Sequence, residues 1–463
     1  MAGARLAVVG GGVAGLAGAR AALAAAEEVG MDLSVTVLEG EDRLGGKVRT
    51  EDVGGVPLEW GPDAFLAAKP RARELATELG LGADLVGTGP LAERAYLRVD
   101  GRLRRLPRGL ALGVPTGPAA LLGAVTSGIL GPGAALRAAL EPLLPRERSR
   151  DRPASEVARR RLGRRAADRL VGPLIEGVYG APAGEVSFDA GFPSLRGHRS
   201  LVLAMARRRR ADGPAFISLR GGMARLVGRL ADDLAARGAS VRTGCRVAGL
   251  AAAEGRFALL TPDGVEEADA VLLATPAPAA SRLLRQASAG AAYALGWIRF
   301  RPSAVVLMRY EDGTLGQPLD GSGFLVAPGE GLAVTACTWL SAKWPHLVPR
   351  VGRADGVWLR ALVTRFDALG LPDTELRHRV EREVREVMRG SARAEAVRLH
   401  RWSEALPVYA PQHRRRVAAA ERALPPRAAL AGASYRGVGL PDCIAGGEGA
   451  GRGLVASLLG PAG

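Results

Sequence analysis

A glycine-rich turn near the amino terminus has the residue types and spacing that bind a phosphate anion. The segment Gly10-Gly11-Gly12-Val13-Ala14-Gly15 follows the apolar run Leu6–Val9 and precedes the alanine-rich stretch Leu16–Glu28, which we expect to be helical. In such a turn the first glycine permits a tight bend, the third lets the backbone approach a pyrophosphate, and the last lets the helix pack closely on the sheet. Free N–H groups and the helix dipole favour an anion at this helix start.

A carboxylate follows at the position where a ribose would bind. Residues Ser34–Leu38 alternate in polarity as a second strand does, and Glu39 and Gly40 come directly after it. A carboxylate about twenty residues past the glycines accepts hydrogen bonds from ribose hydroxyls. Two strands, a helix and this carboxylate in register favour a dinucleotide site over a purely structural turn.

The sequence contains no other familiar catalytic arrangement. The five histidines lack metal-ligand spacing, so we expect no metal site. Cys245, Cys337 and Cys443 form no Cys-x-x-Cys pair, which disfavours dithiol chemistry. A Gly-x-Ser-x-Gly elbow and a P-loop are also missing from the sequence. The expected chemistry is therefore that of a bound redox cofactor.

Composition limits the compartment and the partners. The 463 residues are enough for two or three domains, and the net charge is +16. Aromatic residues make up only 4% of the chain, so we expect no nucleic acid partner despite the basic charge. Three scattered cysteines favour a reducing compartment over a disulfide scaffold. Because no secretory signal is visible, we expect a cytoplasmic protein.

The loop after Glu39 carries a resemblance to a known superfamily. Its sequence, Glu41-Asp42-Arg43-Leu44-Gly45-Gly46-Lys47-Val48-Arg49-Thr50, resembles that of the amine-oxidase-like flavoproteins. The resemblance implies FAD rather than NAD, with this loop around the pyrophosphate and the flavin. It also implies an α/β fold, in which a Rossmann-like FAD-binding domain is interleaved with an α+β substrate domain and a helical, membrane-contacting domain.

Longer motifs are similar to those of one family, the porphyrinogen oxidases. They are Gly61–Leu66, Glu176–Gly180, Phe192–Leu195 and, above all, Gly432–Ile444 near the carboxyl end. The resemblance runs over nearly the whole chain. It implies five segments: FAD-binding 1–75, helical and substrate-contacting 76–215, FAD-binding 216–286, substrate-binding 287–424 and FAD-binding 425–463.

The resemblance also implies a set of FAD-binding residues. They are Gly10, Gly11, Gly12, Val13, Ala14, Gly15, Glu39, Gly40, Arg43, Gly46, Lys47, Trp60, Gly61, Pro62, Asp63, Val247, Trp402, Gly432, Val438, Gly439 and Leu440. The family carries the cysteine that stands here at Cys443 without a bond to the flavin, so we expect non-covalent FAD. Amine oxidases often attach FAD through a cysteine, and that alternative stays open.

Two branches of the family oxidise different porphyrinogens, and three stretches resemble the coproporphyrinogen branch. These stretches are Val334–Trp339 with Lys343–His346, Leu359–Val363, and Gly61–Leu66 with Lys69. The resemblance implies oxidation of coproporphyrinogen III to coproporphyrin III by molecular oxygen in haem biosynthesis, with release of peroxide. Oxidation of protoporphyrinogen IX is the alternative, and an amine-oxidase-like activity is the more distant one.

The resemblance and the charge of the substrate together indicate substrate-binding residues. A tetracarboxylate needs more cationic partners than a dicarboxylate, and lysine occurs only at positions 47, 69 and 343 among 63 basic residues. The candidates are Arg94, Gly177, Phe324, Lys343, Arg360 and Leu362. Lys69 is the candidate catalytic residue, as a polar group close to the reacting face, and its alternative role is to anchor a propionate.

A further region suggests contact with a bilayer surface. Residues 109–136 carry no charge, but prolines and glycines interrupt them, which argues against a membrane span. We therefore expect loop and short helix here, packed inside the protein or touching a bilayer surface. Basic clusters follow at Arg146–Arg152 and Arg159–Arg165. An apolar loop beside cationic clusters suits a peripheral contact with anionic lipid at the inner face of the cell membrane. We also expect other haem-pathway enzymes as partners.

Overall fold

The structure is a computed structural model that describes residues 3–145, 151–207, 213–347 and 356–460. Part of the basic cluster expected at Arg146–Arg152 lies outside the described residues.

Short strands and helices alternate through the first part of the chain. In order they are β1 (Ala4–Val9), α1 (Val13–Glu28), β2 (Leu33–Leu38), β3 (Thr50–Val53), β4 (Val56–Glu59), β5 (Phe65–Leu66), α2 (Arg71–Glu78), β6 (Leu85–Gly87), β7 (Tyr96–Val99), β8 (Arg102–Arg105), β9 (Leu110–Ala111), β10 (Val114–Pro115), α3 (Pro118–Thr126), α4 (Pro132–Ala139), α5 (Ala154–Leu162), α6 (Arg164–Ala166), α7 (Gly172–Tyr179), α8 (Phe188–Gly191) and α9 (Leu201–Ala206). Short 3-10 turns connect several of them, and a π-helical turn joins α6 to α7.

Longer strands dominate the second part. In order its elements are β11 (Phe216–Leu219), α10 (Ala224–Ala236), β12 (Ser240–Arg242), β13 (Gly249–Ala253), β14 (Arg256–Thr261), β15 (Gly264–Ala268), β16 (Ala270–Leu273), α11 (Ala277–Ala287), α12 (Ala289–Gly296), β17 (Phe300–Tyr310), β18 (Gly323–Val326), β19 (Val334–Trp339), α13 (Leu340–Lys343), β20 (Val357–Val363), α14 (Phe366–Leu369), α15 (Asp373–Val387), β21 (Ala396–Pro407), α16 (His413–Ala423), β22 (Ala428–Leu430) and α17 (Leu440–Leu459).

Internal contacts divide the chain into two compact units. Unit 1 comprises residues 1–86, 215–299 and 413–463, and unit 2 comprises 87–214 and 300–412. The helical region and the substrate region, which the sequence analysis treats separately, therefore belong to one unit.

Unit 1 is built on a five-stranded parallel sheet in the order β12-β2-β1-β16-β22. The central strand β1 and its neighbour β16 are almost wholly apolar and buried, as strands covered on both faces must be. Helices α1, α10 and α17 contribute apolar side chains to the same core. This architecture confirms the α/β fold that the glycine turn and its flanking strands predict.

Helices α1 and α17 pack closely because glycines line their contact. A Cβ atom at Gly447 would lie 2.1 Å from the carbonyl oxygen of Ala14, and one at Gly451 would lie 2.1 Å from that of Gly18. The two helices therefore run parallel, in contact backbone to backbone. The register of these pairs sets where the start of α17 stands relative to the glycine turn.

Unit 2 is built on a seven-stranded mixed sheet in the order β21-β17-β20-β19-β18-β7-β8. Helix α15 places Leu376, Val380 and Val384 in the apolar core of one sheet face. A second core joins the helical region to residues of β7 and β18. Inside that region, Arg161 is buried and pairs with the buried carboxylate of Glu141, so Arg161 is not part of the expected cationic surface.

Three leucines of the helical region are exposed. Leu122 on α3, Leu136 on α4 and Leu143 just after α4 are each more than 60% exposed. In the part of the chain that the structure describes, no helix combines the length and apolar character needed to cross a bilayer. Residues 109–136 form the two short strands β9 and β10, helix α3 and the start of α4, where the sequence predicts loop and short helix.

One sequence expectation is wrong at the level of elements. The sequence of residues 70–86 predicts a helix over the whole segment, but α2 ends at Glu78 and the chain continues through a 3-10 turn into β6. Gly80, with φ of +75°, is the physical reason, because a left-handed residue ends a helix.

Candidate active site

Two helix amino termini meet at one edge of the parallel sheet in unit 1. Gly12 caps α1 directly after β1, and Gly439 caps α17. In the parallel pair, the second residue of α1, Ala14, lies beside the eighth residue of α17, Gly447. The amino terminus of α17 therefore extends six residues, or about 9 Å, past the amino terminus of α1. Two positive helix ends stepped along one edge suit an extended anionic ligand.

The glycine turn has the geometry that its sequence predicts. Gly10 has φ of +110°, and a Cβ atom there would lie 2.9 Å from the Ala274 carbonyl oxygen. A Cβ atom at Gly15 would lie 2.0 Å from the carbonyl oxygen of Gly10. Gly12 has no atom within 4 Å of its Cβ position. The turn therefore tolerates no side chain at Gly10 or Gly15, while Gly12 leaves the backbone open to a ligand.

Glu39 joins the second strand to this turn. One oxygen of its carboxylate accepts a hydrogen bond from the Gly11 N–H at 2.7 Å, and the other accepts one from the Glu41 N–H at 2.8 Å. These bonds fix the side chain at the strand end. Each carboxylate oxygen has a second lone pair with which to accept a ribose hydroxyl.

The loop after Glu39 folds over the glycine turn. The Gly45 N–H donates to the Gly11 carbonyl oxygen at 2.9 Å, and the Cβ position of Gly46 lies 3.5 Å from Gly12 Cα. The Arg43 guanidinium donates to the Gly46 carbonyl oxygen at 2.6 Å and to that of Val48 at 3.3 Å. Arg43 thus shapes the loop through its backbone carbonyls.

The segment Trp60–Asp63 packs against the loop that follows Glu39 and against the strand after that loop. The buried Trp60 indole donates to the Glu51 carboxylate at 2.7 Å, and a Cβ atom at Gly61 would lie 1.8 Å from the Lys47 carbonyl oxygen. Only glycine fits at position 61. The half-buried Pro62 and Asp63 follow at once.

Val247 lies beside the carboxyl end of β2. The N–H of Cys245 donates to the Glu39 carbonyl oxygen at 2.8 Å, and the Cβ position of Gly40 lies 3.4 Å from the Arg246 side chain. The nearby Val247 is buried. The structure therefore brings the segment that precedes Val247, a residue that only the resemblance indicated, to Glu39 and Gly40.

The carboxyl-terminal loop, residues 432–439, is anchored by groups that sequence reasoning missed. The buried Ser434 hydroxyl accepts from the Ala277 N–H at 2.9 Å at the start of α11. The buried His413 ring lies 3.1 Å from the Tyr435 carbonyl oxygen. These contacts hold the segment that carries Gly432, Val438 and Gly439 in front of Leu440. Ser434 and Tyr435 lie inside a recognised motif, but no local pattern in the sequence indicates their partners.

Lys69 lies at the start of α17. Its ammonium donates to both carboxylate oxygens of Asp442, at 2.7 and 2.6 Å. Burial and, to a smaller extent, the Asp442 carboxylate raise the pKa of the Cys443 thiol to about 12, while the charges of Lys47 and Lys69 oppose the rise. The structure thus gathers Lys47, Lys69, Asp442 and Cys443 at this helix end, with the thiol in its neutral form.

The remaining predicted residues lie in unit 2. Trp402 stands on β21, with its ring edge-on to His400 at 4.3 Å between centroids. Lys343 ends α13, and its ammonium lies 4.8 Å from the centre of the Trp344 ring. Arg94 donates to the Asp320 carboxylate at 3.0 Å, so its charge is already balanced by a neighbour.

Arg360, Leu362 and Gly177 cluster on one side of the unit 2 sheet. Arg360 and Leu362 alternate with buried residues along β20 and therefore share a face. Leu325 of β18 and Leu362 of β20 both pair with Ala336 of the strand between them, β19. The two leucines therefore lie on the same face of the sheet. The Cβ position of Gly177 on α7 lies 3.2 Å from the Leu325 side chain.

Phe324 does not belong to this cluster. It is 2% exposed and packs with Cys337 and Ala361 in the core beneath α15. Since neighbouring strand residues point to opposite faces, Phe324 and Leu362 lie on opposite sides of the sheet. Leu325 replaces Phe324 as the candidate contact on this face.

The residues of unit 1 fit an FAD molecule. The open backbone at Gly12 and the amino terminus of α1 suit the pyrophosphate of FAD. The oriented Glu39 carboxylate suits the adenosine ribose, and the amino terminus of α17 suits the part of FAD that carries the flavin. Among the described residues, no group of three or more histidine, cysteine or acidic side chains could hold a metal ion.

Comparison with known proteins agrees with this architecture. Residues 13–453 match the family model described as flavin-containing amine oxidoreductase. The chain is 30% identical to a Coproporphyrinogen III oxidase of Bacillus subtilis, with 94% of this chain and 95% of that protein covered. It is 33% identical to a Coproporphyrinogen III oxidase of Mycobacterium leprae over 94% and 95% of the two chains.

A solved structure shows the same fold over the whole chain. The putative protoporphyrinogen oxidase of Exiguobacterium sp. 255-15 superposes with a TM-score of 0.85 at 30% identity, covering 98% of this chain and 99% of that one. The match by family model and the near-complete coverage at 30% identity or more agree with the FAD site described above. The chain therefore belongs to the family of flavin-containing amine oxidoreductases and is an FAD-dependent oxidoreductase.

Proposed function

We propose that this enzyme oxidises coproporphyrinogen III to coproporphyrin III with molecular oxygen in haem biosynthesis. The observation that carries the proposal is similarity over nearly the full length of both chains to proteins named Coproporphyrinogen III oxidase. The name of the structural neighbour favours protoporphyrinogen IX as the second candidate substrate.

Unit 1 supplies the cofactor side of the proposed reaction. FAD, when bound, accepts the electrons of the substrate and passes them to oxygen, which leaves as peroxide. The chain itself orients the cofactor. Gly12 and the start of α1 receive the pyrophosphate, Glu39 holds the ribose, and the start of α17 stabilises negative charge at the far end.

Unit 2 supplies groups suited to a large apolar ring with carboxylate arms. The Leu325 and Leu362 side chains share one face of the sheet, which suits contact with a flat macrocycle. Arg360 and Lys343 are cations for propionates. Gly177 lacks a side chain, so its backbone packs directly against Leu325 on this face. Arg94, which is paired with Asp320, is a further candidate for a propionate.

Lys69 is the proposed polar group next to the reacting face. Its side chain is half-exposed and its ammonium lies at the start of α17, the helix end that would stabilise negative charge on a bound flavin. It can donate hydrogen bonds but cannot accept a proton while charged. Its role is therefore to orient the substrate or to balance negative charge, and anchoring of a propionate remains the alternative.

We further infer a cytoplasmic enzyme that touches the membrane surface and cooperates there with other haem-pathway enzymes. The exposed leucines of the helical region support the membrane contact, together with the neighbouring Arg159, Arg160 and Arg164, each more than half-exposed. Apolar side chains beside cations suit an anionic bilayer surface.

A direct comparison of the two substrates tests the proposed function. The purified, FAD-loaded protein is mixed in air with coproporphyrinogen III or protoporphyrinogen IX, and porphyrin fluorescence is followed. We expect a larger kcat/KM for coproporphyrinogen III, because four carboxylates offer more ion pairs than two. A clear preference for protoporphyrinogen would reverse the substrate assignment, and the absence of porphyrin formation from both compounds would reject both.

A further inference from the structure

The carboxylate of Asp442 occupies an unusual place. It is the third residue of α17, at a helix end that must tolerate the negative charge of a reduced flavin. An unbalanced carboxylate there would oppose that charge. The contacts of Asp442 therefore matter for the electrostatics of the whole helix end.

Asp442 is held from two sides. Lys69 donates to both of its oxygens, and Gly437 faces it so closely that a Cβ atom there would lie 2.4 Å from the carboxylate carbon. The Asp442 N–H donates to the Gly439 carbonyl oxygen at 3.0 Å. The side chain of Asp442 is 22% exposed, whereas that of Lys69 is 48% exposed. The carboxylate is thus the more fixed partner of the pair.

Lys69, in contrast, has no other anchor for its ammonium among the described residues. Its side chain has four rotatable bonds, and its backbone N–H bonds locally to Leu66. A charge on such a stem adopts one position only when a fixed partner holds it.

We propose that Asp442 is a positioning residue for Lys69. It holds the ammonium at the start of α17, and in return Lys69 neutralises the carboxylate at the end that faces the flavin. This inference rests on the proposed function for its catalytic consequence. The pairing itself can be measured without any substrate.

The chain offers a matched control two residues away. Arg71, at the start of α2, donates to both oxygens of Glu448 on α17, at 2.6 and 2.7 Å. This pair joins the same two parts of the chain and has the same bidentate form, but Glu448 lies six residues further along the helix. Glu448→Gln therefore removes an equivalent link without touching the start of α17.

Trace acetylation tests the pairing, and the chain is well suited to it because it has only three lysines. The holoenzyme is labelled with limiting acetic anhydride, and each lysine is quantified by peptide mass spectrometry. Asp442→Asn is expected to raise the acetylation rate of Lys69 about two- to fivefold and to leave the acetylation rates of Lys47 and Lys343 unchanged. Glu448→Gln should leave all three unchanged. An unchanged rate at Lys69 in Asp442→Asn overturns the proposal.

Steady-state kinetics test the catalytic consequence. Asp442→Asn is expected to lower kcat for coproporphyrinogen about ten- to hundredfold with FAD affinity unchanged, and Asp442→Glu should recover part of the loss. Combining Asp442→Asn with Lys69→Ala should cost no more than Lys69→Ala alone, since both changes remove one interaction.

Two outcomes contradict the kinetic part of the inference. The first is a double variant whose loss equals the product of the single losses. The second is an Asp442→Asn protein that loses FAD, which would assign the carboxylate a structural role. A wild-type enzyme inactive on coproporphyrinogen would instead contradict the proposed function, while the labelling experiment would still decide the pairing.

Discussion

At the scale of single residues, the site depends on a few side chains with defined hydrogen bonds. Glu39 and Asp442 are the clearest examples, since each carboxylate uses both oxygens. The sequence indicated Glu39 because its distance from the glycine turn is set by one helix and one strand. It did not indicate the partner of Lys69, because Asp442 is 373 residues away along the chain.

Glu39→Ala should weaken FAD binding about ten- to hundredfold, as expected for loss of charge-assisted hydrogen bonds. Titration of the apoprotein with FAD, followed by flavin fluorescence, measures the effect. Glu41→Ala is the control, because the exposed Glu41 forms only a peripheral ion pair with Arg43 at 3.4 Å. Equal affinity in Glu39→Ala and wild type would remove Glu39 from the site.

Lys69→Ala should retain FAD and lose most of its turnover. The substitution removes the cation that we propose beside the reacting face but leaves the glycine turn and Glu39 intact. The flavin absorbance of the purified variant reports the first effect, and porphyrin formation reports the second. A variant with unchanged rate and unchanged KM would exclude Lys69 from the active site.

Cys443 should not carry the flavin. Its buried thiol has a pKa of about 12, far above neutral pH, so the reactive thiolate is scarce. Acid precipitation should release yellow flavin into the supernatant from the wild type and from Cys443→Ser alike. Flavin that stays with the precipitated wild type, and not with the variant, would demonstrate a covalent bond.

At the scale of elements, the contact of α1 with α17 decides the geometry of the cofactor site. Glycines let the backbones touch, and the register of that contact sets the step between the two helix ends. The sequence showed both helices and their glycine turns. It did not show which glycines meet, because 63 glycines offer many alternatives.

Gly447→Ala should destabilise the protein by about 1–3 kcal/mol, because the new methyl group would meet the Ala14 carbonyl oxygen at 2.1 Å. Gly449→Ala, on the same helix, has nothing within 4 Å of the new atom and should be neutral or stabilising. Thermal unfolding of the two variants, together with their FAD content, makes the comparison. Equal melting temperatures would contradict the packing described here.

At the scale of the whole molecule, the exposed leucines distinguish the helical region of unit 2. Replacing Leu122, Leu136 and Leu143 by serine should weaken binding to phosphatidylglycerol vesicles about tenfold or more, because apolar area no longer enters the bilayer. Co-sedimentation measures the bound fraction. Val265→Ser with Tyr293→Ser is the control, since both side chains are exposed on unit 1. No binding by the wild type would reject the membrane contact.

The sequence by itself determined the family, the α/β fold and the use of FAD. These features depend on short contiguous patterns, such as strand, glycine turn and helix, whose geometry is set by local backbone preferences. It also placed α1 within three residues of its bounds. Local patterns failed at residues 70–86, where Gly80 ends the helix early.

Only the tertiary structure decided which distant residues meet. Phe324 and Leu325 are neighbours of similar hydrophobicity, and strand register alone sends one into the core and the other to the opposite face. Likewise Asp442 reaches Lys69, and Ser434 reaches the start of α11, through the packing of separate segments. Such contacts depend on how helices and sheets pack, and no local spacing in the chain encodes them.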